Sequence, residues 1–305
     1  MLSPLDGSTQ SYLDNLDRIQ SRLNDVTRQL SSGIRVGMPS DDPTAVPGIL
    51  KTLSQIARNT QTQTNLNQVK TELDTGDSTL QSAVTALEQA ISLGTQAAST
   101  QSASQNAVFL QQAQAIQQQL VNASNTSVNG RYIFSGDLDG QPTYVLDASQ
   151  PEGVKQLASV ISTQNITDGA GATLWVPRTA QEIFDPKNAD GTPASGNVFA
   201  AVNSLVLALQ NKDQTAAATA VDSLKAADDH LNQQLGFYGI AENRVADTLN
   251  SLSSAAAAEK QSLGDERDTD VAGAAIELTQ VTTQQQAALS AGAKISKLSL
   301  FDYLA

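Results

Sequence analysis

The chain has 305 residues, of which 18 are basic and 31 acidic, giving a net charge of -13, and it contains no cysteine, one histidine and one tryptophan. The lack of cysteine excludes disulfides, thiol chemistry and cysteine-containing zinc sites, and an acidic chain is repelled by phosphate backbones, so nucleic acid is not an expected partner. Only 16% of residues are charged and 4% aromatic, while 32 are glutamine, which is more typical of helical structural proteins than of enzymes.

The first predicted helix carries a single apolar seam in which the spacings alternate between four and three. Nearly three heptads are present, a pattern typical of coiled coils. Ser8 or Thr9 could cap this helix, and Gly33 is predicted to end it. The seam consists of Tyr12, Leu16, Ile19, Leu23, Val26 and Leu30.

Proline positions indicate where longer helices can run. Residues 48–141 and 194–305 contain no proline, and proline in a helix interior costs about 3 kcal/mol. Asp42 and Pro43 suit the start of a helix, although Pro47 favours a regular helix that begins only there. The apolar stripe predicted after Pro47 is Leu53, Ile56, Leu66, Val69, Leu73, Leu80, Val84, Leu87 and Ile91.

Two more helices are predicted to complete a bundle with this stripe. One covers about residues 106–122 and carries a glutamine-rich surface, and the other follows the apolar positions between Val245 and Leu263. The three helices, two running in one direction and one in the opposite direction, would share a core.

The middle of the chain, roughly residues 131–200, is predicted to be β-rich. Strands are expected at 131–134, 142–146 and 173–176, and Asn-Gly and Asp-Gly pairs at 129–130, 139–140 and 190–191 predict turns. This region lies between two helical segments. The helical bundle is therefore expected to be assembled from both halves of the sequence.

The last predicted helix repeats the seam pattern of the first, but its seam is small and partly polar. Gln285 and Gly292 occupy seam positions, so this helix is expected to be marginal alone and to need neighbours on more than one side. A plain amphipathic helix on a globular core remains an alternative. The positions are Ala274, Leu278, Val281, Gln285, Ala288, Gly292 and Ile295.

Candidate chemistry is sparse along the sequence. His230 is not accompanied by a cysteine or serine in a setting typical of a nucleophile. Residues 137–140 (DLDG) resemble a fragment of a calcium loop, but a hairpin turn is the better interpretation. Glycosylation sequons occur at Asn122, Asn125 and Asn165, a match that is common by chance. No catalytic, metal or cofactor site is predicted, and the chain is not expected to be an enzyme.

Three segments together resemble the bacterial flagellin superfamily. They are LSSGIRV at 30–36 with PSDDP at 39–43, NGRYIFSG at 129–136, and ISKLSLFDYL at 295–304. The middle segment and the PSDDP form resemble the branch that joins the flagellar hook to the filament. The resemblance covers about residues 1–135 and 240–305, and Pro47 departs from the alanine-rich run of the family.

This resemblance implies a structural protein exported unfolded through the flagellar type III channel, without a cleaved signal peptide, to an extracellular place in the flagellum. Neither a signal peptide nor an apolar run long enough to cross a membrane is apparent in the sequence. The implied partners are further copies of the chain in a ring, hook-associated protein 1, flagellin, and the export apparatus with an export chaperone. The terminal helices are expected to be disordered in the free monomer and to form a coiled coil on assembly.

The fold class predicted is mainly α with a smaller β-rich inserted domain, arranged as an elongated, flagellin-like rod of long helices from both termini. Residues 1–40 and 265–305 are assigned to axial helices, 41–130 and 201–264 to the bundle, and 131–200 to the inserted domain. The predicted assembly interface comprises Leu16, Ile19, Leu23, Val26, Leu30, Leu278, Val281, Ala288, Ile295, Leu298 and Leu300.

Two alternatives stay open from the sequence. A short flagellin would share the terminal seams but would polymerise into the filament itself. An enzyme or ligand-binding module in 131–200 would be favoured by a pocket around Trp175.

Overall fold

Helices dominate the chain, and short strands occupy its middle. The computed structural model describes residues 7–99, 103–157, 162, 166–167, 173–175 and 177–304, and within those ranges the side chains at 7, 8, 103, 174, 175 and 294–304 lie outside the description. The helices are α1 (Gly7–Ser32), α2 (Val46–Ser99), α3 (Ala103–Ser124), α4 (Ala180–Phe184), α5 (Val198–Asn211), α6 (Gln214–Arg267) and α7 (Val271–Leu304). The strands are β1 (Ser127–Val128), β2 (Arg131–Tyr132), β3 (Tyr144–Leu146), β4 (Val154–Gln156), β5 (Ile166–Thr167) and β6 (Thr173–Trp175).

The predicted fold class, a mainly helical chain with a smaller strand-containing middle, is confirmed. Helix α2 begins at Val46, which places Pro47 in its first turn, where the missing N–H has no intrahelical partner to lose. At the end of α1, Gly33 adopts a φ of 71° and donates its N–H to the carbonyl of Gln29 at 2.8 Å. That left-handed conformation favours glycine.

The strands pair as three separate antiparallel hairpins. Strand β1 pairs with β2, β3 with β4, and β5 with β6. Asn129 and Gly130, with φ of 53° and 81°, form the tight turn of the first hairpin, as that dipeptide predicts. The strand predicted at 131–134 is shorter than expected, because the chain turns after β2 and buries Phe134 completely.

Contacts divide the chain into two units. The first unit contains residues 1–58 and 254–305, and the second contains residues 59–253. Helices α2 and α6 each contribute residues to both units. The three-layer division proposed from the sequence stays a prediction.

The core of the second unit is built along the stripe predicted for α2. Leu66, Leu73, Leu80 and Leu87 recur every seven residues, and each is at most 1% exposed. Seven residues are close to two helical turns, so these side chains share one face of α2. Burial of a leucine side chain stabilises a fold by about 1.5–3 kcal/mol, which makes this face the main anchor of α2 in the second unit.

An aromatic cluster forms part of this core. Phe184 stacks on Phe199 with ring centroids 5.9 Å apart, and Tyr144 lies 5.0 Å from Phe199. Phe134 makes edge contacts with Phe184 and Tyr238 at 5.9 and 6.2 Å. These rings come from the middle region and from α4, α5 and α6, so they join the strand-containing region to the helices.

A buried polar network adjoins the aromatic cluster. The Tyr144 hydroxyl donates to Asp185 Oδ2 at 2.9 Å, and Asn197 Nδ2 donates to Asp185 Oδ1 at 2.6 Å. Burial raises the pKa of Asp185, and the hydrogen bonds from Asn197 and Tyr144 oppose that shift. Lys187 Nζ lies 3.4 Å from the same carboxylate, so the buried acid is paired on several sides, as a buried charge requires.

Close packing between α2 and α6 yields a stability prediction. A Cβ built on Gly76 would lie 2.5 Å from Cε1 of Tyr238, whereas a Cβ on the exposed Gly236 would meet nothing within 4 Å. We expect Gly76→Ala to lower the free energy of unfolding in urea by about 1–2 kcal/mol, because overpacking outweighs the better helix propensity of alanine. Gly236→Ala is the control and should raise it by up to about 1 kcal/mol. Equal shifts in the two variants would contradict the described packing.

Candidate functional site

The terminal helices α1 and α7 pair with each other in antiparallel orientation within the first unit. The ring of Tyr12 lies against Gly292 near the chain ends. Further along, Gln285 Nε2 donates to Gln20 Oε1 at 2.8 Å, and Arg22 forms an ion pair with Glu277 at 2.9 Å. As the residue number rises on α1, it falls on α7, so these contacts fix one register for the pair.

The structure brings together the two seams predicted from the sequence. Val26 and Val281 are buried at 3% and 0% exposure. The other described positions of the predicted interface are only half-buried: Leu16, Ile19, Leu23, Leu30, Leu278 and Ala288. Ile295, Leu298 and Leu300 lie in the helical backbone of α7, but their side chains lie outside the described residues.

Two polar or small positions in the α7 seam have specific counterparts on α1. A Cβ at Gly292 would overlap the ring of Tyr12. The glycine therefore leaves room for that ring, which a larger residue at position 292 would exclude. Gln285 pairs with Gln20 through their amides. At these two positions, the small or polar residue of α7 has a defined neighbour on α1.

The segments that follow α1 and precede α7 are joined by backbone hydrogen bonds. Arg35 N and Val36 N donate to the carbonyl of Arg267 at 2.8 and 3.1 Å, and Thr269 N donates to the carbonyl of Gly33 at 2.9 Å. Ile34 and Asp268 form an isolated antiparallel bridge. The two helix breaks thus lie side by side, at one end of the α1–α7 pair.

The side chain of Arg35 reinforces this junction. Its Nη1 donates to Asp42 Oδ2 at 3.0 Å, and its Nη2 donates to the carbonyl of Glu266 at 2.6 Å. The hydroxyl of Thr44 and the Arg35 guanidinium lower the pKa of Asp42 to about 2, so Asp42 remains charged in the neutral range. We call Arg35, Asp42 and Glu266 the clasp.

Asp41, the neighbour of Asp42, holds the turn that precedes α2. Its Oδ2 accepts hydrogen bonds from Gly37 N at 3.0 Å and from Met38 N at 2.8 Å, and its Oδ1 accepts one from Arg28 at 3.1 Å. The Met38 N–H is the largest cause of a lowered pKa at Asp41. The segment that resembles the flagellin N-terminal signature therefore forms a hydrogen-bonded turn.

A small apolar cluster is formed by residues close in sequence to the clasp. Val36, Ile49 and Leu263 are each 7% exposed and lie together. Gly48 in the first turn of α2 leaves room for the Glu266 carboxylate, because a Cβ there would lie 2.7 Å from Glu266 Oε2. The clasp was not among the predicted interface residues. The sequence feature that could have indicated the clasp is the segment that resembles the flagellin N-terminal signature, because it contains both Arg35 and Asp42.

The other residues considered for chemistry have structural contacts. His230 Nε2 lies 3.0 Å from the carbonyl oxygen of Glu182. Asp139 pairs with Arg131 at 2.6 Å beside the first hairpin. Within the described ranges, no group of three or more His, Cys, Asp or Glu could hold a metal ion. Across the same ranges, no helix combines the length and apolarity that a membrane crossing requires.

The three sequons differ in their surroundings. Asn125 is used in the fold, because its amide donates to the Tyr144 carbonyl at 2.7 Å and its Oδ1 accepts from Thr143 N and Tyr144 N. Asn122 is exposed on α3. Asn165 and the side chain of Trp175 lie outside the described residues.

Two family profiles match the ends of the chain. The bacterial flagellin N-terminal helical region matches residues 6–138, and the bacterial flagellin C-terminal helical region matches residues 219–304. Together they cover well over half of the chain. Both α1 and the clasp residue Arg35 fall in the first match, and α7 falls in the second.

Individual relatives agree with these profiles. Flagellar hook-associated protein 3 of Escherichia coli strain K12 is 29% identical over 292 residues, covering 90% of this chain and 90% of that protein. A solved structure assigned as a flagellar hook-associated protein of Vibrio parahaemolyticus covers 75% of this chain and all of its own, with a TM-score of 0.64 and 18% identity. Flagellar hook-associated protein 3 of Legionella pneumophila has a TM-score of 0.56 at 14% identity, over 72% of this chain and 98% of its own. These structures support the fold alone.

The register of α1 against α7 can be checked by crosslinking, since the chain has no natural cysteine. We expect a Gln20→Cys/Gln285→Cys double variant to form an intramolecular crosslink with a short bismaleimide, because the two amides are hydrogen-bonded. Gln20→Cys/Gln280→Cys is the control, since Gln280 is exposed and lies more than one turn away on α7. The yields are compared on denaturing gels. Equal yields from both pairs would show that the register is different.

Proposed function

Because the chain belongs to the bacterial flagellin superfamily, we propose that it is a structural component of the bacterial flagellum, assembled through its paired terminal helices. The observation that carries this proposal is the α1–α7 pair, which lies within the two regions matched by the flagellin profiles. The matched family is structural and is not an enzyme family. The function therefore rests on contacts between protein chains.

The half-buried seam supports assembly with neighbours. Leu16, Ile19 and Leu23 remain partly exposed although α1 is paired with α7. Complete burial of a leucine or isoleucine is worth about 1.5–3 kcal/mol relative to exposure, so each half-buried side chain can gain on the order of 1 kcal/mol when a neighbour covers it. A single α1–α7 pair does not gain this stabilisation, whereas a set of packed copies would gain it by burying these side chains further.

Helix α7 also exposes apolar side chains away from its seam. Ile276 is 70% exposed and Leu289 is 53% exposed. Residues 278–293, which include Leu289, contain no charged side chain, so a neighbouring helix could pack against this part of α7 without desolvating a charge. This surface supports contacts on more than one side of α7, as the weak seam predicted.

The finer proposal is that copies of the chain form a ring that joins the hook side to the flagellin filament. It is supported by the similarity to hook-associated protein 3 along nearly the whole chain. In that role its partners are further copies, hook-associated protein 1 and flagellin. Export through the flagellar type III channel, with an export chaperone, would bring the chain to its extracellular place.

A short flagellin is the second candidate function, because the flagellin profiles match both termini. The two functions differ in what the purified chain does when a polymerisation trigger such as high salt or a filament seed is added. We expect electron microscopy to show no filaments of this chain alone, since the ring would form only on its neighbour. Long filaments would assign the chain to the filament instead.

Charging the seam should separate assembly from folding. We expect Leu23→Asp to abolish incorporation into flagella, because it places a carboxylate in the apolar contact, while the second unit keeps its stability. Asn24→Asp, one residue further along α1 at an exposed position, adds the same charge outside the seam and should incorporate normally. Incorporation is measured by immunoblotting of isolated flagella, and the thermal unfolding of the purified chain gives the stability. Unfolding of the second unit by Leu23→Asp would count against this assignment.

Removal of the chain end tests the role of the last turns of α7. We expect deletion of residues 298–305 to block assembly but not export, because it removes the predicted interface residues Leu298 and Leu300. The truncated chain should then accumulate in the culture medium, where it can be quantified by immunoblotting. Retention inside the cell would instead assign an export or chaperone-binding role to this end.

A further inference from the structure

Three turns of the second unit contain an asparagine or an aspartate followed by glycine, at 129–130, 139–140 and 190–191. Such pairs are weak points of a protein backbone, because the side-chain carbonyl carbon can be attacked by the next backbone nitrogen. Glycine has no side chain to shield that nitrogen. Asn129 and Gly130 form the only Asn-Gly pair in the sequence.

The two aspartates of this set are restrained by hydrogen bonds. Asp139 Oδ2 accepts from Arg131 Nε at 2.6 Å. Asp190 Oδ1 accepts from Thr192 N at 3.0 Å and from Thr192 Oγ1 at 2.6 Å, and the Thr192 hydroxyl is the main cause of a lowered pKa at Asp190. Both carboxylates therefore stay charged and fixed, and a negative charge opposes nucleophilic attack on the carboxyl carbon.

The side chain of Asn129 has neither restraint. Asn129 and Gly130 are both exposed. Over the ranges that the structure describes, neither the Asn129 amide nor the Gly130 N–H has a hydrogen-bond partner. A Cβ built on Gly130 would meet nothing within 4 Å. The electrophilic carbon and the nitrogen nucleophile are thus both uncharged, unpaired and open to water.

The reaction open to these two groups requires only water. The deprotonated backbone nitrogen of Gly130 attacks Cγ of Asn129, a bond forms between them, and the Cγ–Nδ2 bond breaks. Ammonia leaves with the proton that the Gly130 nitrogen lost. Water then opens the five-membered succinimide: cleavage of the new bond to Cγ gives aspartate, and cleavage of the bond to the backbone carbonyl carbon gives isoaspartate.

The turn conformation slows this reaction without preventing it. Asn129 and Gly130 have φ of 53° and 81°, and Asn129 must leave the left-handed conformation before its Cγ can approach the next nitrogen. Strands β1 and β2 have two residues each, and a two-stranded hairpin has little stability of its own. Exposed loops change conformation in about nanoseconds to microseconds, so a reaction that takes days samples the open conformers many times.

We propose that Asn129 is a deamidation site, at which the folded chain acquires isoaspartate as it ages. Isoaspartate inserts the side-chain methylene into the backbone of a two-residue turn, so the pairing of Val128 with Arg131 is lost. Arg131 also forms an ion pair with Glu72 of α2 at 3.5 Å. The modification therefore loosens the attachment of the first hairpin to the helices of the second unit.

Ageing of the purified full-length chain tests this proposal. The chain is incubated at physiological temperature, and its peptides are analysed by mass spectrometry with electron-based fragmentation, which distinguishes aspartate from isoaspartate. We expect Asn129 to deamidate about tenfold or more faster than the exposed Asn122, which is followed by alanine. The rate should rise with pH, because the nucleophile is the deprotonated nitrogen. An intact Asn129, or equal rates at both positions, would overturn the proposal.

The variant Asn129→Gly is the matched control. It removes the reacting amide and leaves a Gly-Gly pair, which suits the same hairpin turn. An isoaspartate methyltransferase, which esterifies the isoaspartyl carboxylate with the methyl group of S-adenosylmethionine, should label the aged wild-type chain and leave the aged variant unlabelled. The thermal unfolding temperature should fall on ageing in the wild-type chain only. Equal labelling of the two chains would place the isoaspartate elsewhere and reject Asn129 as the site.

Discussion

The pairing of the two chain ends through a single narrow seam is the constraint on which the first unit depends. Val26 and Val281 are the buried positions of the predicted interface, Gly292 of α7 leaves room for the ring of Tyr12, and Gln285 pairs with Gln20. A two-helix pair has too little buried apolar surface to be strongly stable by itself. The incomplete burial of Leu16, Ile19 and Leu23 is thus the physical property that supports the proposed assembly, since neighbours could supply the missing contacts.

The clasp explains why the pair has one register. Ridges of leucine and isoleucine along a heptad seam permit shifts by a whole heptad at modest cost. Such a shift would break the backbone bonds of Arg35 and Thr269 to the opposite segment and would separate Arg35 from Glu266. These groups are only partly buried, so the loss of each hydrogen bond would cost about 0.5–1.5 kcal/mol. Polar groups at the end of the helices therefore select the register, while the apolar seam supplies the attraction.

Much of this organisation could be predicted from the sequence, and the limits have physical causes. Proline and glycine positions located the helix starts and ends, since Pro47 and Gly33 act through local backbone geometry. Heptad spacing identified both seams. The network that joins Tyr144 to Asp185, and the hydrogen bond between Arg35 and the carbonyl of Glu266, link residues far apart in the chain. No local pattern specifies such contacts, because they depend on the packing of the whole unit. Helix α4, with five residues, is likewise too short to show periodicity.

The distribution of charge is compatible with the proposed contacts between like chains. An acidic chain stays soluble through self-repulsion, but that repulsion opposes the packing of many copies. In this sequence the conflict is relieved locally: residues 89–130 and 278–293 contain no charged side chain, and glutamine, serine and threonine provide the polar surface in both. Amides and hydroxyls keep a free chain hydrated and can still be buried in pairs, since each group donates and accepts hydrogen bonds. An exposed leucine surface of the same size would promote aggregation before assembly, and a charged one would have to be matched by opposite charge. Uncharged polar surfaces satisfy both requirements, which gives the high glutamine content of the chain a physical reason.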